Sequence, residues 1–312
     1  MKSAFVASFI LTLLVSCQEK PNDIELSVMV WNIWEGGSSR LIERDGVPDV
    51  IKTIQIADPD IVLLVETYGS GMRIADSLGM HFHLIAPEGT AVDDPGTNLS
   101  ILSKYPFGRR IDFYNHFNIG GIEVDVDRFG KIRLFDLWLN FQPWHDEPET
   151  LDMSPNELVE WEISGGRQEE VQTILQNLTP FLKESDDIPV ILGGDFNIWS
   201  YRDWGEDTQD LHQGKTVSWW TLAEFEKAGF IDGFRQIHPN AQTHPGISWG
   251  MPGIKDDHRI DYILYKGKSI QAIDSEIHKA DYNNELIFRG DTIDFPSDHG
   301  FVLTKFKLNA KK

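Results

Sequence analysis

The sequence predicts an α+β domain built from two packed sheets covered by helices. Three observations carry that prediction. Short apolar runs bounded by Gly, Pro, Asn or Asp recur along the chain, as buried strands do. Strand patterns crowd the middle of the chain, and helical patterns flank it on both sides. Hydrophobic residues make up 41% of the 312, enough to fill a core, and no repeat, heptad array or linker interrupts residues 24–308.

The elements follow in order. Residues 26–33 and 61–65 are apolar runs that read as buried strands, and 47–57 between them reads as a helix that stops before Asp58-Pro59-Asp60. A second helix is expected over 68–78, closed by Gly79. Residues 98–103, 111–117, 122–127 and 132–140 read as successive strands, with turns at Pro106, Gly120-Gly121 and Gly130. A longer helix is expected over about 169–183 and a buried strand over 190–193. A Trp- and Asp-rich insertion occupies 199–220, a helix 222–228, and late strands 260–265 and 301–307.

The start of the chain has a different character. Lys2 precedes an apolar run from Ala4 to Val15, followed by Ser16; this is the layout of a secretory signal, too short for a permanent bilayer span. The only cysteine closes it, in Leu14-Val15-Ser16-Cys17. This stretch resembles a bacterial lipobox, whose cysteine is lipid-modified and becomes the new N-terminus. The expected organisation is a signal peptide over 1–16, a lipidated Cys17 with a short polar tether over 17–23, and one domain over 24–312. The resemblance implies export and a membrane anchor in a bacterial cell envelope, on its periplasmic or surface face, or secretion if Cys17 is not lipidated. A single cysteine excludes an intrachain disulfide and a cysteine zinc site.

Twenty-eight Lys and Arg stand against 49 Asp and Glu, a net charge of −21. A dedicated binder of long nucleic acid adds basic charge to meet phosphates. No basic cluster here exceeds Lys104 with Arg109-Arg110. A metal enzyme is not excluded, because a bound cation supplies positive charge.

The informative residues stand at the ends of the apolar runs. Asn32 ends Val28-Met29-Val30-Trp31-Asn32, and Glu66 ends Ile61-Val62-Leu63-Leu64-Val65-Glu66. Val190-Ile191-Leu192-Gly193-Gly194-Asp195-Phe196-Asn197 sets Asp195 and Asn197 two residues apart, on one side of an extended segment. Asp261 stands in Arg259-Ile260-Asp261-Tyr262, and Ser297-Asp298-His299-Gly300 precedes the last strand. Singly, each has an ordinary explanation as a cap, a turn or a loop residue. Together and in this order they resemble the endonuclease/exonuclease/phosphatase superfamily. Supporting pieces are Asn98-Leu99-Ser100-Ile101-Leu102-Ser103-Lys104-Tyr105-Pro106 and Gly229-Phe230-Ile231-Asp232, so the resemblance covers about 26–307.

The resemblance implies a four-layer αββα sandwich of two mixed sheets flanked by helices, with the site at one end of the sheets. It implies a metal-dependent phosphoesterase that cleaves a phosphodiester by attack of an activated water. Glu66 would be the main metal ligand, Asn32 would help hold that site and Asp298 would assist. Asp195 would position the water, Asn197 would donate to a phosphoryl oxygen, and His299 would act as general base or polarise the phosphate. Asp261 would fix the tautomer of His299. Hard oxygen ligands such as these suit Mg²⁺ or Mn²⁺, with Ca²⁺ as a further possibility.

One position departs from the family pattern. Many members carry a histidine where this chain has Trp138, in Phe135-Asp136-Leu137-Trp138-Leu139-Asn140. His145 and His258 are alternative sources of a leaving-group acid, each with a surface or structural role as the plainer reading. Several of the ten tryptophans fall near the motifs. Trp199 and the insertion after it read equally well as core or as a functional surface, either a stacking wall for a sugar, an inositol or a base or an interfacial contact with lipid. The acidic balance points to a small or glycosylated phosphodiester, or a lipid headgroup, bound by a monomer. A secreted nuclease and a phosphomonoesterase are the enzymatic alternatives. A non-catalytic binding lipoprotein is the rival of another class, with Trp138 as its support.

Overall fold

The computed structural model describes residues 24–38, 44–145, 147–250, 258–281 and 283–309. The expected signal segment and Cys17 lie outside the described residues.

Two six-stranded sheets stack face to face. The first runs in the order β11 (Ile270–His278), β14 (Phe301–Leu308), β1 (Ile24–Asn32), β2 (Ile61–Val65), β4 (Leu99–Ser103), β3 (His81–Ile85). The second runs β5 (Phe107–Ile111), β6 (Ile119–Val126), β7 (Gly130–Trp138), β8 (Val190–Asp195), β10 (Asp261–Lys266), β9 (Ile231–Asp232). A separate hairpin joins β12 (Glu285–Phe288) and β13 (Asp291–Asp294). Both sheets are mixed. β1 pairs with β2 in parallel, β7 pairs with β8 in parallel, and the other pairs are antiparallel. The carboxyl ends of β1, β2, β7 and β8 therefore share one edge of the sandwich.

Alternation along the strands sorts side chains into three apolar layers. Val30, Leu63, Ile101, Leu134, Ile191 and Ile263 fill the space between the sheets. The outer face of the first sheet buries Met29, Trp31, Val62 and Leu64 under α2 (Val47–Ala57), α3 (Gly71–Leu78) and the hairpin. The outer face of the second buries Phe135, Leu137 and Leu192 under α4 (Pro155–Glu162), α5 (Arg167–Lys183) and α6 (Trp220–Lys227). Helix, sheet, sheet and helix layers are the expected αββα sandwich. A short turn, α1 (Trp34–Gly37), follows β1, and α7 (Gly233–Ile237) leads from β9.

Three local expectations need correction. The strand expected over 111–117 lies earlier, as β5 over Phe107–Ile111, and shares only Ile111 with it; Asn115 turns the chain that follows, its side chain accepting from the Phe117 amide at 3.0 Å and its carbonyl from Ile119. Gly120 and Gly121 lie inside β6, not in a turn. They are small because the chain passes close to its neighbours: a Cβ on Gly120 would lie 2.2 Å from Ile85 Cγ2, and one on Gly121 2.5 Å from the Leu134 carbonyl oxygen. The tryptophans of the insertion are core. Trp199, Trp204 and Trp219 are at most 1% exposed, and Trp199 stacks on Trp144 at 5.1 Å and packs at a tilt against Trp219 at 4.7 Å. Their faces are occupied by one another, so they form no open stacking wall.

Candidate active site

Five sheet strands deliver polar side chains to the shared edge. Asn32 is the last residue of β1, and Glu66 follows β2. Asp195 is the last residue of β8 and sits opposite Asp261, the first of β10, in the antiparallel register. His299 comes two residues before β14, which pairs with β1. Residues distant in sequence thus meet because strands end there.

The contacts are close. The Asn32 amide nitrogen donates to Glu66 Oε1 and to Asp195 Oδ2, each at 3.1 Å. His299 Nδ1 donates to Asp261 Oδ2 at 3.0 Å, and His299 Nε2 lies 3.9 Å from Asp195 Oδ2 and 4.0 Å from Asp298 Oδ1. Ligand atoms of Asp195, Asp261 and His299 all fall within 4.8 Å of one another. Of these residues only Glu66 stays partly open, whereas Asn32, Asp195, Asp261, Asp298 and His299 are each 9% exposed or less.

Burial governs the protonation of the group. It pushes the Asp195 carboxyl up to about 7, against the pull of His299. Burial opposes a charge on His299, but Asp261, Asp298 and Asp195 outweigh it and carry the imidazole up to about 10. The two groups titrate together, with His299 holding its proton more tightly.

Second partners hold these side chains in place. The Ser248 hydroxyl donates to Asp261 Oδ2 at 2.7 Å and accepts from the amides of Ile260 and Asp261. The Ser297 hydroxyl donates to the Asn32 carbonyl at 2.7 Å and accepts from the His299 amide. The Trp249 indole N–H donates to Asp298 Oδ2 at 3.0 Å. Asn98 accepts from the Glu66 amide at 2.9 Å and donates to the Phe117 carbonyl. Ser248 went unseen in the sequence, since a lone serine between Ile247 and Trp249 has no diagnostic spacing. Trp34, Glu35, Glu66, Tyr68 and Asn197 all have positive φ between 40° and 58°. Such backbone costs energy for residues other than glycine.

The remaining expected site residues are placed as follows. Asn32 turns its nitrogen toward the two carboxylates and its oxygen toward the Trp34 amide, at 3.0 Å. In this arrangement it braces Glu66. Asn197 is not on an extended segment with Asp195, because β8 stops at Asp195 and Asn197 has a φ of 50°. Its amide nitrogen donates to the Leu139 carbonyl at 2.9 Å, and its backbone N–H caps Asp195 Oδ1. Trp138 packs edge-on against Phe117 at 5.5 Å, in register with Asp195. His258 is buried among Trp144, Trp199 and Trp249, one ring removed from His299. His145 accepts from the Glu147 amide at 3.1 Å.

Asp195, Asp261 and His299 form the cluster whose ligand atoms lie close enough to share a metal ion, and carboxylate oxygens around it suit a hard divalent cation. Glu66 supplies a partly open carboxylate, and Asp298 Oδ1 is buried without a hydrogen-bond partner. A cation would meet an oxygen that has no hydrogen bond.

The comparisons agree with this geometry. The family model for endonuclease/exonuclease/phosphatase proteins matches residues 29–299. A Caenorhabditis elegans protein, F14F9.5, is 24% identical over 303 residues, covering 90% of this chain and 91% of its own. Among solved structures, an endonuclease/exonuclease/phosphatase from Beutenbergia cavernae superposes with a TM-score of 0.59 at 20% identity, over 91% of this chain and 72% of its own. Zebrafish (D. rerio) TDP2, complexed with a single-strand DNA product, superposes with a TM-score of 0.55 at 17% identity, over 90% of this chain and 98% of its own. Members of the matched family hydrolyse phosphoester bonds, typically with a divalent metal. This chain belongs to the endonuclease/exonuclease/phosphatase family.

Proposed function

We propose that the protein is a divalent-metal phosphodiesterase acting on a small soluble diester outside the cytoplasm. The observation that carries this reading is the convergence of Asn32, Glu66, Asp195, Asp261 and His299 at one sheet edge. Glu66 and Asp298 would hold the ion, with Mg²⁺ or Mn²⁺ the first choice for oxygen donors. When bound, the ion supplies Lewis-acid charge for the phosphoryl and leaving oxygens.

The chain's own residues divide the remaining work. Asp195, with its proton affinity close to neutral pH, accepts a proton from the attacking water. His299 stays an imidazolium and pairs with a phosphoryl oxygen. Asp261 holds His299 by Nδ1 and stabilises its charge. The buried position of His258 favours a structural role for it, and Trp138 carries no proton to give.

The net charge of −21 favours a small substrate over the DNA found with zebrafish TDP2. The lipobox-like Cys17 supports an exported, lipid-anchored protein, and among the described residues no helix is long and apolar enough to cross a membrane. The tether would join β1 at Ile24, a strand length or roughly 27 Å from Asn32.

The test uses the chain without its signal segment. Bis(p-nitrophenyl) phosphate, p-nitrophenyl phosphate, phosphatidylinositol vesicles and plasmid DNA are each assayed with Mg²⁺, Mn²⁺, Ca²⁺ or EDTA. Diester cleavage that a divalent ion supports and EDTA stops is the expected result. Efficient plasmid nicking would overturn the substrate reading. Failure to cleave any ester with any ion would favour a binding protein.

A further inference from the structure

A tryptophan closes β7 at the catalytic edge. Trp138 is the last residue of that strand and sits opposite Asp195 of β8 in the parallel register, with neighbouring strands about 4.8 Å apart. Both side chains point into the space between the sheets. A Cβ on Gly193 would meet Val30 and Leu63 of the first sheet, so Asp195, two residues on, faces the same way and accepts from Asn32 of that sheet. Trp138 packs against the same inter-sheet layer. The indole therefore flanks the carboxylate at the reaction centre, and it is only partly buried.

Two more rings enlarge this surface. Phe117 lies edge-on to Trp138 at 5.5 Å, and Phe141 lies tilted to it at 6.3 Å. Neither pair is stacked face to face, and Phe117 and Phe141 are 37% and 45% exposed. Hydrogen bonds tie the segments that carry the rings to the reaction centre. The Asn98 side chain joins the Phe117 carbonyl to the Glu66 amide. The Trp138 N–H donates to the Asn118 carbonyl at 2.8 Å, and its carbonyl accepts from the Asn118 side chain at 3.0 Å. The Leu139 N–H donates to the Asp195 carbonyl at 3.0 Å, and the Leu139 carbonyl accepts from Asn197. The three rings therefore keep a fixed relation to Glu66 and Asp195. An uncharged aromatic surface gains nothing from an anion and gains most from another flat ring, by offset or edge-on packing.

We propose that Trp138, with Phe117 and Phe141, is the specificity-determining platform of the site, and that it packs a flat uncharged aromatic ring carried by one ester group of the substrate, a nucleobase or an aryl alcohol. This rests on the phosphodiesterase reading and names the substrate class for it. One ring on a small diester also agrees with the net charge of −21, which disfavours a long polyanion.

Binding to the full-length protein tests this separately from catalysis. Calorimetry with Mg²⁺ or Mn²⁺ present compares benzylphosphonate, cyclohexylmethylphosphonate and ethylphosphonate, whose carbon–phosphorus bonds resist hydrolysis. Benzylphosphonate should bind about tenfold more tightly than ethylphosphonate and about threefold more tightly than the cyclohexyl compound. Trp138→Ala should bring the benzyl-to-ethyl ratio close to one, and Trp138→Phe should keep most of it. Phe141→Ala, an exposed change, should lower the ratio too and decides the matter if Trp138→Ala fails to fold. Turnover then identifies the source of the ring. The kcat/KM of phenyl p-nitrophenyl phosphate and of thymidine 5′-p-nitrophenyl phosphate are each divided by that of methyl p-nitrophenyl phosphate. A fall of about tenfold in Trp138→Ala in the first ratio assigns an aryl alcohol, and in the second a nucleobase. If no ester is hydrolysed but the binding preference holds and is lost in the variant, the catalytic reading fails and the platform stands. Equal binding of benzyl- and ethylphosphonate, binding of neither, or a ratio unchanged in both alanine variants overturns the platform. A cyclohexyl compound that binds as tightly as the benzyl one, or phosphorylcholine that binds more tightly, also overturns it, in favour of an aliphatic or a cationic group.

Discussion

Asp136 offers the sharpest test of the interior. It lies on β7 between Leu134 and Trp138, on the face turned toward the other sheet, and is 0% exposed. Neither carboxyl oxygen has a hydrogen-bond partner; the Leu137 amide leans toward it outside hydrogen-bonding geometry. Burial therefore pushes this carboxyl well above its ordinary value, and the folded protein keeps it protonated. An acid raised in this way contributes its stability in full below the unfolded value of about 3.9 and loses it as pH rises toward the folded value. The Asp136→Asn variant has nearly the same shape and no proton to lose. Wild type should therefore lose up to about 1.4 kcal/mol relative to the variant per unit rise in pH above the ordinary carboxyl range. Urea denaturation of both proteins at pH 4.5, 5.5 and 7 measures the difference. Wild type should fall progressively behind the variant. A stability difference that does not change with pH would refute a buried neutral acid at this position.

Three other predictions follow from the same geometry. Arg259→Ala strands Asp232 and leaves Asp203 with Arg235 alone; Arg259 meets the two carboxylates at 2.8 and 2.9 Å with 2% of its own side chain exposed, so urea denaturation should show a loss of about 3–5 kcal/mol; a loss below about 1 kcal/mol would contradict the network. Gly193→Ala drives a Cβ to 2.4 Å from Val30 Cγ2 and 2.8 Å from Leu63 Cδ1, so it should destabilise the sandwich by about 1–3 kcal/mol in the same assay, and no loss would mean the sheets have room to part there. The pH–rate profile for a diester should rise through about 7 as Asp195 loses its proton and fall toward about 10 as His299 loses its own, and a rate flat from pH 5.5 to 8 would remove Asp195 as the base.

The sandwich was legible because its central strands are unbroken apolar runs. Residues 61–65 have no polar member and match β2. The same runs made the site legible, since a polar residue where such a strand ends stands out, as Asn32, Glu66 and Asp195 do. β3 was missed because His81-Phe82-His83-Leu84-Ile85 is half-exposed at a sheet edge and alternates poorly. Asn197 was misplaced because extended spacing was carried one turn beyond the strand, where the backbone turns left-handed. The tryptophans were ambiguous because composition does not tell an open ring face from a covered one. Ser248 and Trp249 became informative only with the fold, because each acts through a residue distant in sequence.

The most direct test of the central claim is the kcat/KM for bis(p-nitrophenyl) phosphate of wild type beside Asp195→Asn, with saturating Mg²⁺ or Mn²⁺. The substitution keeps the shape of a side chain that Asn32 and Asn197 hold in place and removes its capacity to take a proton. The account predicts a divalent-dependent wild-type rate and a drop of about 10²–10⁴-fold in the variant. A variant within about threefold of wild type would contradict the catalytic role of this site.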